Sequence, residues 1–138
     1  MIQPWASLFV LREAKYETRS WRTHYRGPIA IHTSKKIDKA VLHHIAIKSL
    51  LAKHGVTEDN LPTGHIIATC QLVNCLRVTE NNETWAVLED GRIVSGNDYF
   101  VGDYTVGGYV WEVQGMQTLE RAIPAKGKLG LWEYDLHI

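Results

Sequence analysis

Residues 66 to 73 alternate strictly, with Ile66, Ala68, Cys70 and Leu72 on one side of an extended chain and Ile67, Thr69, Gln71 and Val73 on the other. Strand side chains repeat every two residues, so this segment reads as a long strand with one apolar face that the fold must cover. Tyr109, Trp111 and Val113 repeat the pattern, and Trp132, Tyr134 and Leu136 read as a last strand. Tyr16 to Ser20 and Pro28 to Thr33 are shorter candidates, the second turning Ile29 and Ile31 inward and Ala30 and His32 outward.

Two stretches have helical spacing instead. Gln3-Pro4-Trp5 places a proline at the first helical position, and Trp5, Leu8 and Phe9 follow at i, i+3, i+4, which predicts a helix over 4–14. Asp38 stands at the start of a second helix, expected over 38–54, with Val41, Leu42, Ile45, Ala46 and Leu50 on a broad apolar arc and Gly55 as its stop. Residues 57–64 are turn-rich, and residues 80–103 are acidic, turn-rich and irregular. No internal repeat or low-complexity linker divides the chain. The expectation is one α+β domain over residues 1–138, with a mixed or antiparallel barrel-like sheet, closed or nearly closed, and flanking helices.

The 138 residues are 45% hydrophobic and 22% charged, enough for one sizeable core. Fifteen Lys and Arg balance fifteen Asp and Glu, which excludes a uniformly basic nucleic-acid coat and an acidic tail protein. No apolar run approaches the ~20 residues of a membrane span, so no membrane partner is expected, and a cytoplasmic location is. Cys70 and Cys75, five apart on an alternating strand, should face opposite sides with Cα atoms roughly 17 Å apart, too far to pair. Two cysteines in a chain of this size fit a reducing compartment. The seven histidines lack chelating spacing: His43 and His44 are adjacent and His54 lies three turns on, so neither metal nor other cofactor is expected.

Charge is uneven along the chain. Residues 12–39 carry eight Lys or Arg against three acids, a net of +5, and residues 80–103 carry six acids against Arg92 alone, a net of −5. That division predicts a dipolar surface. Its basic side is interleaved with Tyr16, Trp21 and Tyr25, a mixture that holds phosphates and stacks bases, though solvated charges beside core aromatics give the same pattern.

The run Gln3-Pro4-Trp5-Ala6-Ser7-Leu8, then Glu17-Thr18-Arg19-Ser20-Trp21, Tyr25-Arg26-Gly27-Pro28, Ile31-His32 and Ser34-Lys35-Lys36, resembles the activating signal cointegrator homology (ASCH) domain. The resemblance continues through Gly64-His65-Ile66-Ile67-Ala68, Tyr109-Val110-Trp111 and Pro124-Ala125-Lys126-Gly127. It implies a PUA-like β-barrel with a cleft near the first helix and the E-x-R strand. Members of that family bind RNA or DNA, and others act as ribonucleases or as amidohydrolases on N4-acetylcytidine.

On this resemblance the candidate ligand-binding residues are Gln3, Trp5, Lys15, Glu17, Arg19, Trp21, Tyr25, Arg26, His32, Ser34, Lys35 and Lys126. Glu17 and Arg19, two apart on a strand, share a face; they are either a base-reading pair or a structural ion pair. Trp5 and Trp21 offer stacking planes or core packing. His32, beside Ser34 and Lys35, suits proton transfer or phosphate contact, and is equally read as a satisfied surface histidine. Lys126 precedes a glycine in a loop able to close over a ligand or simply to turn the chain.

The family pattern into that strand is G-x-K-x-x-E-x-R, and the matching positions here are Arg12, Ala14, Glu17 and Arg19. The amidohydrolase members use the lysine catalytically and carry a nucleophilic threonine where this chain has Glu17. Lys15 and Thr18 are each one residue off, which on a strand reverses the face. The leading expectation is therefore binding of RNA, single-stranded nucleic acid or a nucleotide or nucleoside in a basic cleft. The alternative is a hydrolase, either a metal-independent ribonuclease or, disfavoured by Ala14, a modified-nucleoside amidohydrolase, with Lys15, Glu17, His32 and Lys35 as catalytic candidates.

Overall fold

The alternating segment becomes the spine of the sheet. In the computed structural model, which describes residues 1–126, it extends to β3 (His65–Asn81), seventeen residues long. The last strand expected at Trp132, Tyr134 and Leu136 lies outside the described residues. Before β3 come α1 (Trp5–Val10), β1 (Tyr16–Arg19), β2 (Gly27–His32), α2 (Lys39–Leu42), α3 (Ile45–Ala52) and a 3₁₀ turn at Glu58–Asn60. After it come β4 (Trp85–Leu88), β5 (Ile93–Ser95), α4 (Gly96–Phe100) and β6 (Tyr109–Pro124).

All strand ladders are antiparallel, in the order β1-β6-β3-β4-β5 with β2 also on β3. β2 and β4 take successive stretches of β3, pairing at residues 66–72 and 78–81. Among the described residues β1 and β5 do not meet, so the α+β sheet is open where full or near closure was expected.

β3 is not one regular strand. Its register against β6 shifts between Leu72 and Asn74. An extra residue in one strand reverses side-chain parity beyond it. Cys70 and Cys75 consequently do not face opposite sides as expected: both are buried in the same hydrophobic cluster, as free thiols.

Both helix expectations were too long. Five of the six residues of α1 are buried, and the helix ends early in a Schellman turn: the Glu13 amide donates to the Leu8 carbonyl and the Arg12 amide to that of Phe9, with Arg12 at φ 62°. The helix expected over 38–54 is two. Asp38 caps α2 by accepting from the Val41 amide, and His44, extended at ψ 130°, interrupts the run and caps α3 by accepting from the Ala46 amide. The break turns Ile45 off the expected arc and leaves it 80% exposed, while Ile47 and Leu51 carry the buried face. Gly55, at φ 72°, stops the chain as expected.

Residues 80–103 are more ordered than their composition suggested, because Asp90-Gly91 turns β4 into β5. Gly91 takes φ 86°, which a side chain would resist, and Leu88 donates to the Arg92 carbonyl across the turn. This hairpin covers a small core of Tyr16, Leu76, Val78, Leu88, Val94, Tyr104 and Val110. The larger core joins α1 and α3 to the inner faces of β2, β3 and β6, with Phe9, Leu8 and Trp111 nearly fully buried. Each such side chain contributes about 1.5 to 3 kcal/mol.

Candidate nucleic-acid interface

Where α1 ends and β1 begins, the chain leaves an open cleft of about 1330 Å³. Trp5, Phe9, Ala14, Tyr16 and Val101 supply apolar and aromatic surface, Arg19, Lys35 and Lys126 positive charge, and Glu17 and Asp103 negative charge. His32, Ser34 and Gly64 complete the wall where β2 runs out. The segments are pinned together by few but well-placed bonds. His32 Nε2 lies 2.6 Å from the Ala125 carbonyl oxygen, the Ala125 amide donates to the Gly64 carbonyl, and the Asp103 amide donates to Thr18 Oγ1 at 3.0 Å.

Alternation along β1 puts Glu17 and Arg19 on one face, and there they form an ion pair. Arg19 donates to Glu17 Oε1 through Nε at 2.9 Å and Nη2 at 2.8 Å. The glutamate side chain is 9% exposed and the arginine 32%. Arg19 also lies over the Trp111 ring, 5.3 Å from its centroid. The pair presents an acceptor and a donor side by side.

The cleft brings together seven of the residues singled out in the sequence: Trp5, Glu17, Arg19, His32, Ser34, Lys35 and Lys126. The other five stand outside its lining. Gln3 is fully buried and ties loops together, its Nε2 donating to the Pro62 carbonyl and its Oε1 accepting from the Ser7 amide. The exposed Lys15 lies over the Tyr16 ring, 5.5 Å from its centroid. Trp21, half-buried, packs edge-on against Trp111 of the core at 4.8 Å. Tyr25 donates its hydroxyl to the Pro28 carbonyl, and Arg26 donates Nη1 to the carbonyls of Thr23 and Tyr25, so both shape their own loop.

Charge is arranged differently from the expected dipole. The acidic segment folds onto the basic one: Arg22 pairs with Glu89 at 3.1 Å, the Lys15 amide donates to Asp98, and Asp103 enters the cleft beside Thr18. Glu89 is held below the usual carboxylate range first by the Arg77 amide and then by Arg22. Asp103 and Gly102 had no motif to announce them, because they come from the segment read as irregular. Phe9, Tyr16 and Thr18 line the cleft by virtue of the Schellman turn, which sets the phase of β1 relative to α1.

That turn explains one departure from the family pattern. The position of the pattern's glycine is Arg12, whose φ of 62° is the left-handed conformation a glycine adopts without strain. The position of its lysine is Ala14, buried and part of the cleft lining. Lys15, one step along in the bend before β1, is outside the lining.

The ASCH domain matches residues 1–119, from α1 into the second half of β6. A search of curated proteins finds no match to this chain. The ASCH domain is a PUA-like, RNA-binding fold with a general nucleic-acid-binding role, and this chain, 119 of whose 138 residues match it, belongs to the ASCH domain family.

Proposed function

We propose that this chain binds single-stranded RNA, or a nucleotide, by seating one base in the cleft between α1 and β1. The observation that carries the reading is the Glu17–Arg19 pair set in an aromatic-lined, cation-rimmed hollow. Both described guanidinium contacts use Oε1, so Oε2 serves as the acceptor for an amino or imino group of the base. Trp5, half-buried at the cleft, supplies apolar surface for the ring, with stacking worth about 1 to 3 kcal/mol per base. Lys35 and Lys126 meet the phosphate. At about 1330 Å³ the cleft exceeds the roughly 300–1,000 Å³ of pockets that enclose one small ligand, so a nucleotide enters without displacing the walls.

Hydrolysis is the weaker reading of the same cleft, because Ala14 stands where a catalytic lysine would, and an alanine neither activates nor orients a nucleophile. The test is a titration of labelled single-stranded RNA, followed by anisotropy and by gel in EDTA. Saturable binding with intact RNA, weakened in Glu17→Ala, is the expected result. Turnover that disappears in Glu17→Ala would make the enzyme reading first, and absence of binding would remove both.

A further inference from the structure

The two ends of the cleft carry opposite charge. At one end β2, the 33–35 segment and the end of β6 converge, held by His32 on the Ala125 carbonyl and by Ala125 on the Gly64 carbonyl. This brings Lys35, Lys126 and His32 to one wall together with Met1, whose main-chain nitrogen donates to the His32 carbonyl, and with Ser34, Gly64, Pro124 and Ala125, none of them an acid. The Lys35 side chain runs alongside Gly64, 3.6 Å from where a Cβ on that glycine would stand.

At the other end is a closely packed saddle, Gly102-Asp103. A Cβ on Gly102 would lie 2.6 Å from the Tyr104 ring and 3.3 Å from the Thr18 methyl, so nothing bulkier fits and the segment is packed in place. Asp103 is anchored there, its amide on Thr18 and its Oδ1 accepting from the Thr105 amide and hydroxyl. Over the saddle lies a second hollow of about 580 Å³ that shares Gly102 and Asp103 with the cleft. Its charged lining residues are Glu83 and Asp103, with no Lys, Arg or His among the described residues.

A strand running through the cleft would have to bring a phosphate in past the lysines and carry the next one out over these carboxylates. The first passage is favourable and the second repulsive. A base, by contrast, is welcome at the acidic end, where carboxylates accept from its N–H groups. We propose that the cleft takes a nucleotide with phosphate on one side only, a free mononucleotide or the terminal residue of a strand, and refuses an internal nucleotide of a continuous strand. This rests on the nucleotide-binding reading above and adds the class of ligand.

The experiment compares the affinity of the full chain for three probes: the four ribonucleoside 5′-monophosphates, a short linear RNA of mixed sequence, and that RNA ligated into a circle. The linear form binds and the circle binds at least about tenfold more weakly. Mononucleotides matching the linear RNA identify a free nucleotide as the source, and mononucleotides falling well below it identify a strand end. Asp103→Lys raises the affinity of the circle toward that of the linear form. A circle bound as tightly as the linear RNA by the wild-type protein overturns this inference and leaves the cleft a nucleic-acid site. Failure of all three probes to bind overturns the proposed function with it.

Discussion

Arg19 reaches Glu17 twice, through Nε at 2.9 Å and Nη2 at 2.8 Å, and both contacts fall on the one oxygen Oε1. The two partners are unequally wet, at 32% and 9% side-chain exposure, and this predicts unequal costs of removal. In Glu17→Ala the guanidinium keeps water and the Trp111 face, so the loss is about 1 kcal/mol. In Arg19→Ala the buried carboxylate loses its counter-ion, at a cost of about 2 to 4 kcal/mol. Urea denaturation of the two variants checks the order; equal losses, or the reverse order, would contradict the geometry.

Arg12, at φ 62°, stands in backbone that glycine adopts without strain. Left-handed backbone costs a residue with a Cβ about 1 to 2 kcal/mol, and glycine escapes that at an entropic cost of about half as much. Arg12→Gly is therefore neutral or stabilising by up to about 1 kcal/mol, whereas Arg12→Val, branched at Cβ, destabilises by at least as much. A fall in melting temperature for Arg12→Gly would be inconsistent with the Schellman turn.

Much of this architecture is written locally, and the structure departs from expectation where a cap is unusual or distant segments set the geometry. Alternation at 66–73 and 109–113 located β3 and β6, and Asp38 and Gly55 marked helix ends, because strand period and capping are properties of a few neighbouring residues. The helix expected over 38–54 runs through His44, since a histidine side chain is an unusual N-cap and the run around it is helical in period. The bulge in β3 was hidden for a different reason: it depends on the register with β6, some forty positions along the chain. Glu17 and Arg19 could be placed on one face from spacing alone, but the motif that supplied Trp21, Tyr25 and Arg26 could not separate a cleft wall from the loop beside it. Asp103 reaches the cleft through tertiary packing, a relationship no local pattern encodes.

The bulge carries its own prediction for the cysteines. Burial pushes the Cys70 thiol up to about 11, and Cys75 is equally enclosed, at 3% and 2% exposure respectively. Neither thiol reacts with a disulfide reagent at mildly alkaline pH until the chain unfolds, when both react together. Rapid labelling of one cysteine in the native protein would mean that the two face opposite sides after all.

Glu13, in the turn between α1 and β1, accepts from Lys53 at 2.5 Å and His54 at 2.9 Å, fastening that turn to the end of α3. Lys53 first, and then His54, hold its carboxyl below the usual range. A carboxyl lowered in the folded state adds stability above its unfolded pKa and loses it as pH falls through the folded value. Glu13→Gln is thus less stable than wild type near pH 7, and the gap closes as both are brought toward about pH 3. A gap that stays constant across that range, followed by chemical denaturation, would show that the ion pairs contribute nothing.

The claim that the cleft is where nucleic acid binds is tested most directly by the salt dependence of affinity for linear single-stranded RNA in three variants. Each phosphate contact on a single strand contributes about 0.7 to the slope of log K against log salt. The account predicts that Lys35→Ala and Lys126→Ala each lower the slope, by up to about 0.7, while Arg26→Ala, whose guanidinium is engaged with its own loop, leaves it unchanged. A slope lowered by Arg26→Ala and untouched by both cleft lysines, or a wild-type affinity indifferent to salt, would place the binding surface elsewhere.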